Sequence, residues 1–195
     1  MSSHALQQHK VCKLHTSTMA RAATMSVLMA LVVLAGVSSA HADAGFISRT
    51  CNKTRNPSQC VAVLSADPHS ANASTEHDLA SIALQIAADT ADHNGEVIGD
   101  LSKNSQGTPE GDALGVCLGA YADAAMDLDI DGPTGFDGGD YAGTSKLLSS
   151  AKDAGDTCEN AFKGIGKRSP VTDIDRQMTE RCGVAGDLVD LLIPK

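Results

Sequence analysis

The stretch that decides the fold is TEHDLASIALQIAADTADHNGEVIGDL, residues 75–101. Steps of three and four residues separate its apolar and small members, and this spacing places them on one face of a helix. The predicted stripe consists of Leu79, Ile82, Ile86, Thr90, His93, Val97 and Leu101. Thr75 is a suitable N-cap, and Asp78 three residues later can complete a capping box. The stretch therefore predicts a long amphipathic helix.

Three later segments have the same periodicity. The second stripe is Leu114, Cys117, Tyr121, Ala124 and Leu128. The third is Tyr141, Ser145, Leu148, Ala151, Gly155, Cys158, Phe162 and Ile165. The fourth is Val171, Ile174, Met178, Cys182, Ala185, Leu188 and Leu192. Thr108-Pro109 and Ser169-Pro170 are helix start signals for the second and fourth segments, because proline suits the first helical position.

Strand signals are nearly absent, since the chain has no tryptophan, two tyrosines and three phenylalanines. Four amphipathic helices joined by short connections predict an all-α protein, an up-down-up-down four-helix bundle over residues 75–195. Residues 43–74 contain two short apolar patches separated by Asn56-Pro57, and we predict a helical hairpin there. Residues 43–195 together form the predicted domain.

Residues 1–42 have the layout of a signal peptide. Val27 to Val37 is an apolar run too short to span a bilayer, Arg21 precedes it, and the small residues of 38–42 offer a cleavage site. Met19 is a possible true start, since it would give a signal of ordinary length. A transit peptide and a retained membrane anchor are the alternatives. We expect secretion to the extracellular space or apoplast, with the vacuole as a second destination.

The charge of the predicted mature chain restricts its partners. Residues 43–195 hold all 24 acidic residues but only 12 of the 15 basic ones, which gives a net charge of −12. Such a charge disfavours nucleic acid and anionic membranes as partners, and a polyanionic substrate such as pectin. A protein partner with a basic surface fits better.

Five cysteines remain after the predicted signal is removed: Cys51, Cys60, Cys117, Cys158 and Cys182. In an exported chain cysteines are expected to pair, and here four can pair while one is left over. Cys117 and Cys158 lie on the buried stripes of adjacent predicted helices, so a bridge between them is reasonable, and Cys51 and Cys60 can close a local loop. Cys182 is then a free thiol on an apolar face, where it serves as a small buried hydrophobe.

The sequence shows no catalytic or cofactor site. No C-x-x-C pair occurs, the histidines His69, His77 and His93 are scattered, and neither a nucleophile–base motif nor a phosphate loop is present. We interpret His93 as a residue at the core edge and Tyr121 as a packing residue with one buried hydrogen bond. We predict that the protein is not an enzyme and needs no cofactor.

Two surface features could carry a modification or a ligand. Asn52 and Asn72 begin N-glycosylation sequons. Asp127, Asp129 and Asp131 occupy positions 1, 3 and 5 of an EF-hand pattern and make a weak calcium candidate, but Gly138 stands where the pattern needs a bidentate glutamate. We therefore interpret residues 127–140 as a frayed, acidic helix end and a flexible loop without a metal.

Several motifs resemble one known family, the plant invertase and pectin methylesterase inhibitors. CNKTRNPSQC, residues 51–60, is similar to the family's C-x-x-T-x-x-P-x-x-C opening, and LSADP, residues 64–68, resembles the family segment directly after that opening. ALGVCLGAY, residues 113–121, resembles its A-L-x-x-C-x-x-x-Y. LSSA at 148–151, TCE at 157–159 with Phe162, and SPVT at 169–172 resemble its last two helices. The pollen-allergen-like branch of invertase inhibitors is the most similar.

The resemblance implies an N-terminal helical hairpin, a four-helix bundle, and disulfides Cys51–Cys60 and Cys117–Cys158. It also implies a one-to-one complex in which the protein blocks the active-site cleft of a cell-wall or vacuolar invertase or of a pectin methylesterase. Thr157-Cys158-Glu159 favours invertase, whereas Gly139-Asp140-Tyr141 stands where invertase-directed members have Pro-Lys-Phe. The alternatives are a secreted helical binding module without inhibitory activity and a weak calcium-binding protein.

Overall fold

The structure is a computed structural model that describes residues 44–195. The predicted signal peptide, residues 1–42, lies outside the described residues. None of the helices in the described part combines the length and the apolar character that a bilayer crossing requires.

Every regular element between residues 44 and 195 is helical, which confirms the predicted all-α class. The elements are α1 at 44–51, α2 Pro57–Ala66, a 3₁₀ turn Pro68–Asn72, α3 Glu76–Asn104, α4 Pro109–Met126, a π-helical turn Asp127–Asp131, α5 Gly132–Asp137, α6 Tyr141–Gly164 and α7 Thr172–Asp190. The short helices α1 and α2 form the N-terminal hairpin.

The four long helices form a bundle in which each packs against two others, in the closed ring α3, α4, α6, α7. Along the α3–α4 contact Gly95 faces Tyr121, and four residues later Gly99 faces Leu118, so these two helices are antiparallel. The buried residues of the four helices form one continuous apolar core. The hairpin packs on the bundle through contacts of α2 with α3 and α7.

Two of the predicted helix starts have the predicted caps. The Thr75 hydroxyl accepts from the Asp78 amide at 3.1 Å, and the Asp78 carboxylate accepts from the Thr75 amide at 2.9 Å, so α3 begins with a capping box. At the start of α4 the Thr108 hydroxyl accepts from the Gly111 amide, which is a cap without the reciprocal bond. The start of α7 lies later than predicted, at Thr172, because the Ser169 hydroxyl accepts from the Val171 amide and closes a turn before the helix.

The buried face of α3 is rotated from the predicted stripe. It consists of Leu79, Ala80, Ala83, Leu84, Ala87, Ala88, Thr90, Ala91, Asn94 and Ile98. Ile82 and Val97 are only half-buried, and His93 is exposed, so its placement at the core edge was wrong. The reason is that α3 contacts α4 on one side and α7 on the other, and alanines allow both to approach closely.

The prediction of a flexible loop at residues 127–140 was also wrong. The chain continues from α4 through the π-helical turn into α5, and Leu128 and Phe136 are fully buried. The Phe136 ring contacts the rings of His77 and Tyr141, at centroid distances of 4.5 Å and 5.5 Å. These two anchors hold the segment on the bundle, so its acidic side chains project from an ordered helical surface.

Candidate interaction surface

The hairpin is attached to the bundle at its turn. The Cys51–Cys60 disulfide closes the turn, with the Cα atoms 5.5 Å apart. The backbone amide and the Nε of Arg55 donate to the two carboxylate oxygens of Asp187 in α7, at 2.8 Å and 2.6 Å. Lys53 forms an ion pair with Glu76 at the start of α3. The hairpin therefore presents a fixed surface at this end of the bundle.

A second disulfide, Cys117–Cys158, joins the middle of α4 to α6, with the Cα atoms 4.5 Å apart. Both cysteines are fully buried. Since the bridge lies inside the core, it fixes the distance between two helices and leaves their outer faces free.

Cys182 is the free cysteine of residues 44–195, and it is buried in α7 next to the thioether of Met178. Burial raises the pKa of its thiol to about 12. The thiol is therefore protonated at neutral and acidic pH and is not a nucleophile. It borders a depression of about 300 Å³ between the hairpin, α6 and α7, whose other sides carry polar groups such as Arg55 and Lys152.

The bundle core contains a small polar cluster. The Tyr121 hydroxyl of α4 donates to a carboxylate oxygen of Asp175 in α7 at 2.8 Å, which is the buried hydrogen bond expected for this tyrosine. The Asn94 side chain of α3 donates to the Ile174 carbonyl at 3.1 Å. The cluster thus connects three of the four bundle helices.

Asp175 is the charged member of this cluster, and it was missed in the sequence. Burial raises the pKa of its carboxyl to about 7, the Tyr121 hydrogen bond opposes this rise, and the nearby Glu159 carboxyl adds to it. One oxygen of Asp175 and one of Glu159 are buried without a hydrogen-bond partner. A proton between the two carboxyl groups would satisfy both oxygens. The available signal was its position four residues after Val171 and three before Met178, which places Asp175 on the same helix face as these two apolar residues.

The side of α4 away from the core carries an exposed stripe, which we call the outer face of α4. It consists of Val116, Gly119, Asp123, Met126 and Ile130, the last of which belongs to the π-helical turn. Steps of three and four residues place them on one side. The exposed fractions of Val116, Met126 and Ile130 are 51%, 57% and 60%. Large apolar side chains are therefore presented to solvent here.

The surroundings of this face are acidic. Residues 104–145 contain eight acidic residues and neither lysine nor arginine. An ion pair between Glu110 and Lys167 brings one basic group from outside this segment to the start of α4. The face therefore combines apolar side chains with a negative border.

The calcium candidates do not form an EF-hand loop. Asp127, Asp129 and Asp131 lie within the π-helical turn, and residues 44–195 contain no cluster of three or more His, Cys, Asp or Glu placed to hold a metal ion. Partial burial, together with the carboxylates of Asp92 and Asp89 on α3, raises the pKa of Asp129. Like charges therefore repel each other here between the π-helical turn and α3.

The two predicted glycosylation sites are exposed. Asn52 lies in the hairpin turn and Asn72 at the end of the 3₁₀ turn. Neither residue belongs to the outer face of α4. Attachment of a glycan at either residue stays a prediction.

Comparisons with known proteins agree on one family. A family model described as plant invertase/pectin methylesterase inhibitor matches residues 45–188. The pectinesterase inhibitor of Actinidia deliciosa is 30% identical over 143 residues, covering 72% of this chain and 76% of that protein. A Platanus orientalis protein whose name assigns it to the invertase inhibitors is 30% identical over 157 residues, covering 77% of this chain and 91% of that protein.

Solved structures show the same fold. The crystal structure of a mutant form of a pectin methylesterase inhibitor from Arabidopsis matches with a TM-score of 0.64 at 24% identity, covering 76% of this chain and 98% of that one. A second structure of such an inhibitor from Arabidopsis thaliana matches with a TM-score of 0.56 at 22% identity, covering 77% of this chain and 98% of that one.

Proposed function

Because this chain belongs to the plant invertase/pectin methylesterase inhibitor family, we propose that it inhibits a carbohydrate-active enzyme of the plant cell wall, an invertase or a pectin methylesterase. The observation that carries this proposal is the family match over residues 45–188, which contains the hairpin and nearly the whole bundle. The family consists of inhibitors, and the one free thiol in the described residues is held protonated.

The proposed mode of action is the binding of one inhibitor to one enzyme, so that the active-site cleft is covered. The Cys117–Cys158 bridge joins α4 to α6, and the Cys51–Cys60 bridge closes the hairpin turn. A surface that is fixed before binding loses little conformational entropy on binding, which favours affinity. Inhibition should be reversible, since no covalent step is involved.

Secretion is part of the same proposal. Disulfides persist in oxidising compartments, and the apolar run Val27 to Val37 precedes a suitable cleavage site. Exposed sequons at Asn52 and Asn72 suit a glycoprotein of the secretory pathway. We therefore propose that residues 43–195 act in the apoplast or the vacuole.

The structure weakens, for two of its three residues, the preference for invertase that the sequence triplet suggested. Within Thr157-Cys158-Glu159 the cysteine is buried in its disulfide, and one oxygen of Glu159 is buried beside Asp175. The cysteine and part of Glu159 therefore contribute to the core, whereas Thr157 is exposed. The relatives named above include both a pectinesterase inhibitor and a protein assigned to invertase inhibition, at the same identity.

The test is a parallel titration of three purified enzymes: a cell-wall invertase, a vacuolar invertase and a pectin methylesterase. The inhibitor is produced oxidised, and activity is measured at pH 5 as its concentration rises through that of the enzyme. We expect saturable, reversible, one-to-one inhibition of at least one enzyme. A sample reduced and alkylated under denaturing conditions is the control and should inhibit none. If the oxidised protein inhibits no enzyme, the alternative of a helical module without inhibitory activity is correct.

A further inference from the structure

We infer that the outer face of α4 is the surface by which this protein docks onto its target, and that it fits a basic protein surface with an apolar recess. The inference rests on the proposed function, and it specifies which side of the bundle contacts the target. The target is a protein, and we describe its contact surface by the chemistry that would complement the outer face of α4.

The exposed apolar side chains carry the first part of the argument. Within residues 44–195 all large apolar side chains that are mostly exposed belong to this one face: Val116, Met126 and Ile130. Exposing them to water is unfavourable, and no other part of the described chain covers them. Apolar side chains grouped on a surface mark interaction sites, and methionine is enriched in such interfaces.

The π-helical turn fixes the position of Ile130. Leu128 before it is fully buried, and Gly132 after it lies so close to Leu84 that an added Cβ would be 3.3 Å from that side chain. With the chain held at both sides, Ile130 points outward in a defined place. π-helical turns inside helices occur frequently at functional sites, and a side chain held in place before binding loses little entropy on contact.

Two glycines on the solvent side of α4 form the second part of the argument. Gly115 and Gly119 are exposed, and no atom lies within 4 Å of the position where either would carry a Cβ. A glycine inside a helix destabilises it by about 1 kcal/mol relative to alanine. No contact within the chain requires glycine at these positions. A partner that packs directly on the helix backbone would require it.

The charge of the face decides which partner it fits. Asp123 belongs to the stripe, Asp127 and Asp131 are in the turn that follows Met126, and no lysine or arginine occurs in residues 104–145. Two copies meeting through this face would bring like charges together, which is unfavourable by several kcal/mol. A basic rim on the partner is attracted instead. The structure thus favours a basic enzyme surface over a second copy of this chain.

The experiment compares variants in inhibition of whichever enzyme the wild type inhibits. In Met126→Ala/Ile130→Ala the inhibition constant should rise at least about tenfold, as for side chains at an interface centre. Both residues are exposed, so the melting temperature should stay within about 2 °C, and this separates a lost contact from a lost fold.

The charge is tested with a matched pair of variants. Asp123→Asn/Asp131→Asn should lower the association rate and weaken its dependence on salt. The control is Asp173→Asn/Glu180→Gln on α7, which does not adjoin α4 in the ring. The control removes the same charge and should change the association rate less.

Each result decides the inference. Wild-type inhibition that is unchanged in Met126→Ala/Ile130→Ala overturns the assigned face and leaves the proposed function intact. An equal loss of association rate in the α7 control overturns the charge argument. If the wild type self-associates and Met126→Ala/Ile130→Ala abolishes this, the face is an interface between two copies of the chain, and the inference that it binds an enzyme is wrong. A wild type that inhibits none of the three enzymes overturns the inference together with the proposed function.

Discussion

The inner and outer faces of α4 differ in what they contact, since the inner face packs into the bundle core and the outer face is exposed to solvent. Its inner face carries Cys117 in a disulfide and Tyr121 in a buried hydrogen bond, and Leu128 of the π-helical turn continues this face with no exposure. Its outer face carries apolar side chains in solvent and Gly119, and neither Gly119 nor the adjacent Gly115 has an atom within 4 Å of its Cβ position. The inner face is arranged for the stability of the chain itself. The two exposed glycines lower that stability, as the inferred contact with a partner on this side would explain.

Removal of the Cys117–Cys158 bridge should give the largest effect on the inner face. The chain-entropy relation for a sequence separation of 41 residues gives a loss of about 4 kcal/mol in the free energy of unfolding in Cys117→Ala/Cys158→Ala. Denaturant unfolding measures it. Cys51→Ala/Cys60→Ala is the control, with a separation of 9 residues and an expected loss of about 2.5 kcal/mol. A larger loss in the control would contradict the importance given to the inner face.

The polar cluster should give the next largest effect, through pH. The pKa of Asp175 is raised to about 7 in the folded state from its ordinary value of 3.8. The folded state therefore binds a proton that the unfolded state releases, so the free energy of unfolding should fall as pH rises from about 4 to 8. We expect this group to add about 2 kcal/mol of stability at pH 5 compared with pH 8.

Matched variants isolate that contribution. Asp175→Asn can still accept from Tyr121, does not titrate, and should flatten the stability profile between pH 5 and 8. Asp173→Asn, an exposed neighbour on the same helix, should leave the profile unchanged. Titratable groups that face Asp175 are Tyr121 on α4 and Glu159 and Asp156 on α6. A profile as steep in Asp175→Asn as in the wild type would assign the pH dependence to those groups instead.

The outer face should give the smallest effect on stability, and of opposite sign. Gly119→Ala should raise the free energy of unfolding by about 0.5 to 1 kcal/mol, because the added methyl group meets no atom and alanine favours helix. Gly107→Ala is the control, since it also meets no atom but has a φ of 75°, and alanine there should destabilise the protein. Thermal unfolding of both variants distinguishes the two. A Gly119→Ala variant that is more stable but inhibits more weakly would show that glycine at this position serves contact with the partner and not the stability of the chain.

The sequence predicted the buried stripe that begins in α4 well because this stripe contains large residues. All five predicted members are buried: Leu114, Cys117, Tyr121 and Ala124 in α4, and Leu128 in the π-helical turn. In α3 the buried face is made largely of alanine, and larger residues such as Ile82 lie at its edge. The predicted stripe of α3, which followed the larger apolar residues, is therefore rotated about the helix axis from the face that is buried. Alanine gives a weak periodic signal although it allows the closest helix contact.

Three features of the structure could not be found from periodicity alone. Phe136 is a single aromatic residue among glycine, proline and aspartate, and such surroundings indicate a loop unless its burial is known. Asp175 shares a face with apolar residues but is buried only because Tyr121 of another helix meets it. The exposure of Met126 and Ile130 likewise depends on how the chain turns after α4. All three depend on tertiary contacts between segments far apart in the sequence.

The lack of basic residues in α4 and the turn after it also governs how the protein is digested. Proteases that cut after lysine or arginine find no site between Lys103 and Lys146, so one uninterrupted peptide, residues 104–146, contains the whole outer face. Through the Cys117–Cys158 bridge this peptide stays joined to residues 153–163 until it is reduced. Trypsin digestion of the unreduced protein should therefore cut the chain on both sides of this segment and still leave α4 linked to a piece of α6.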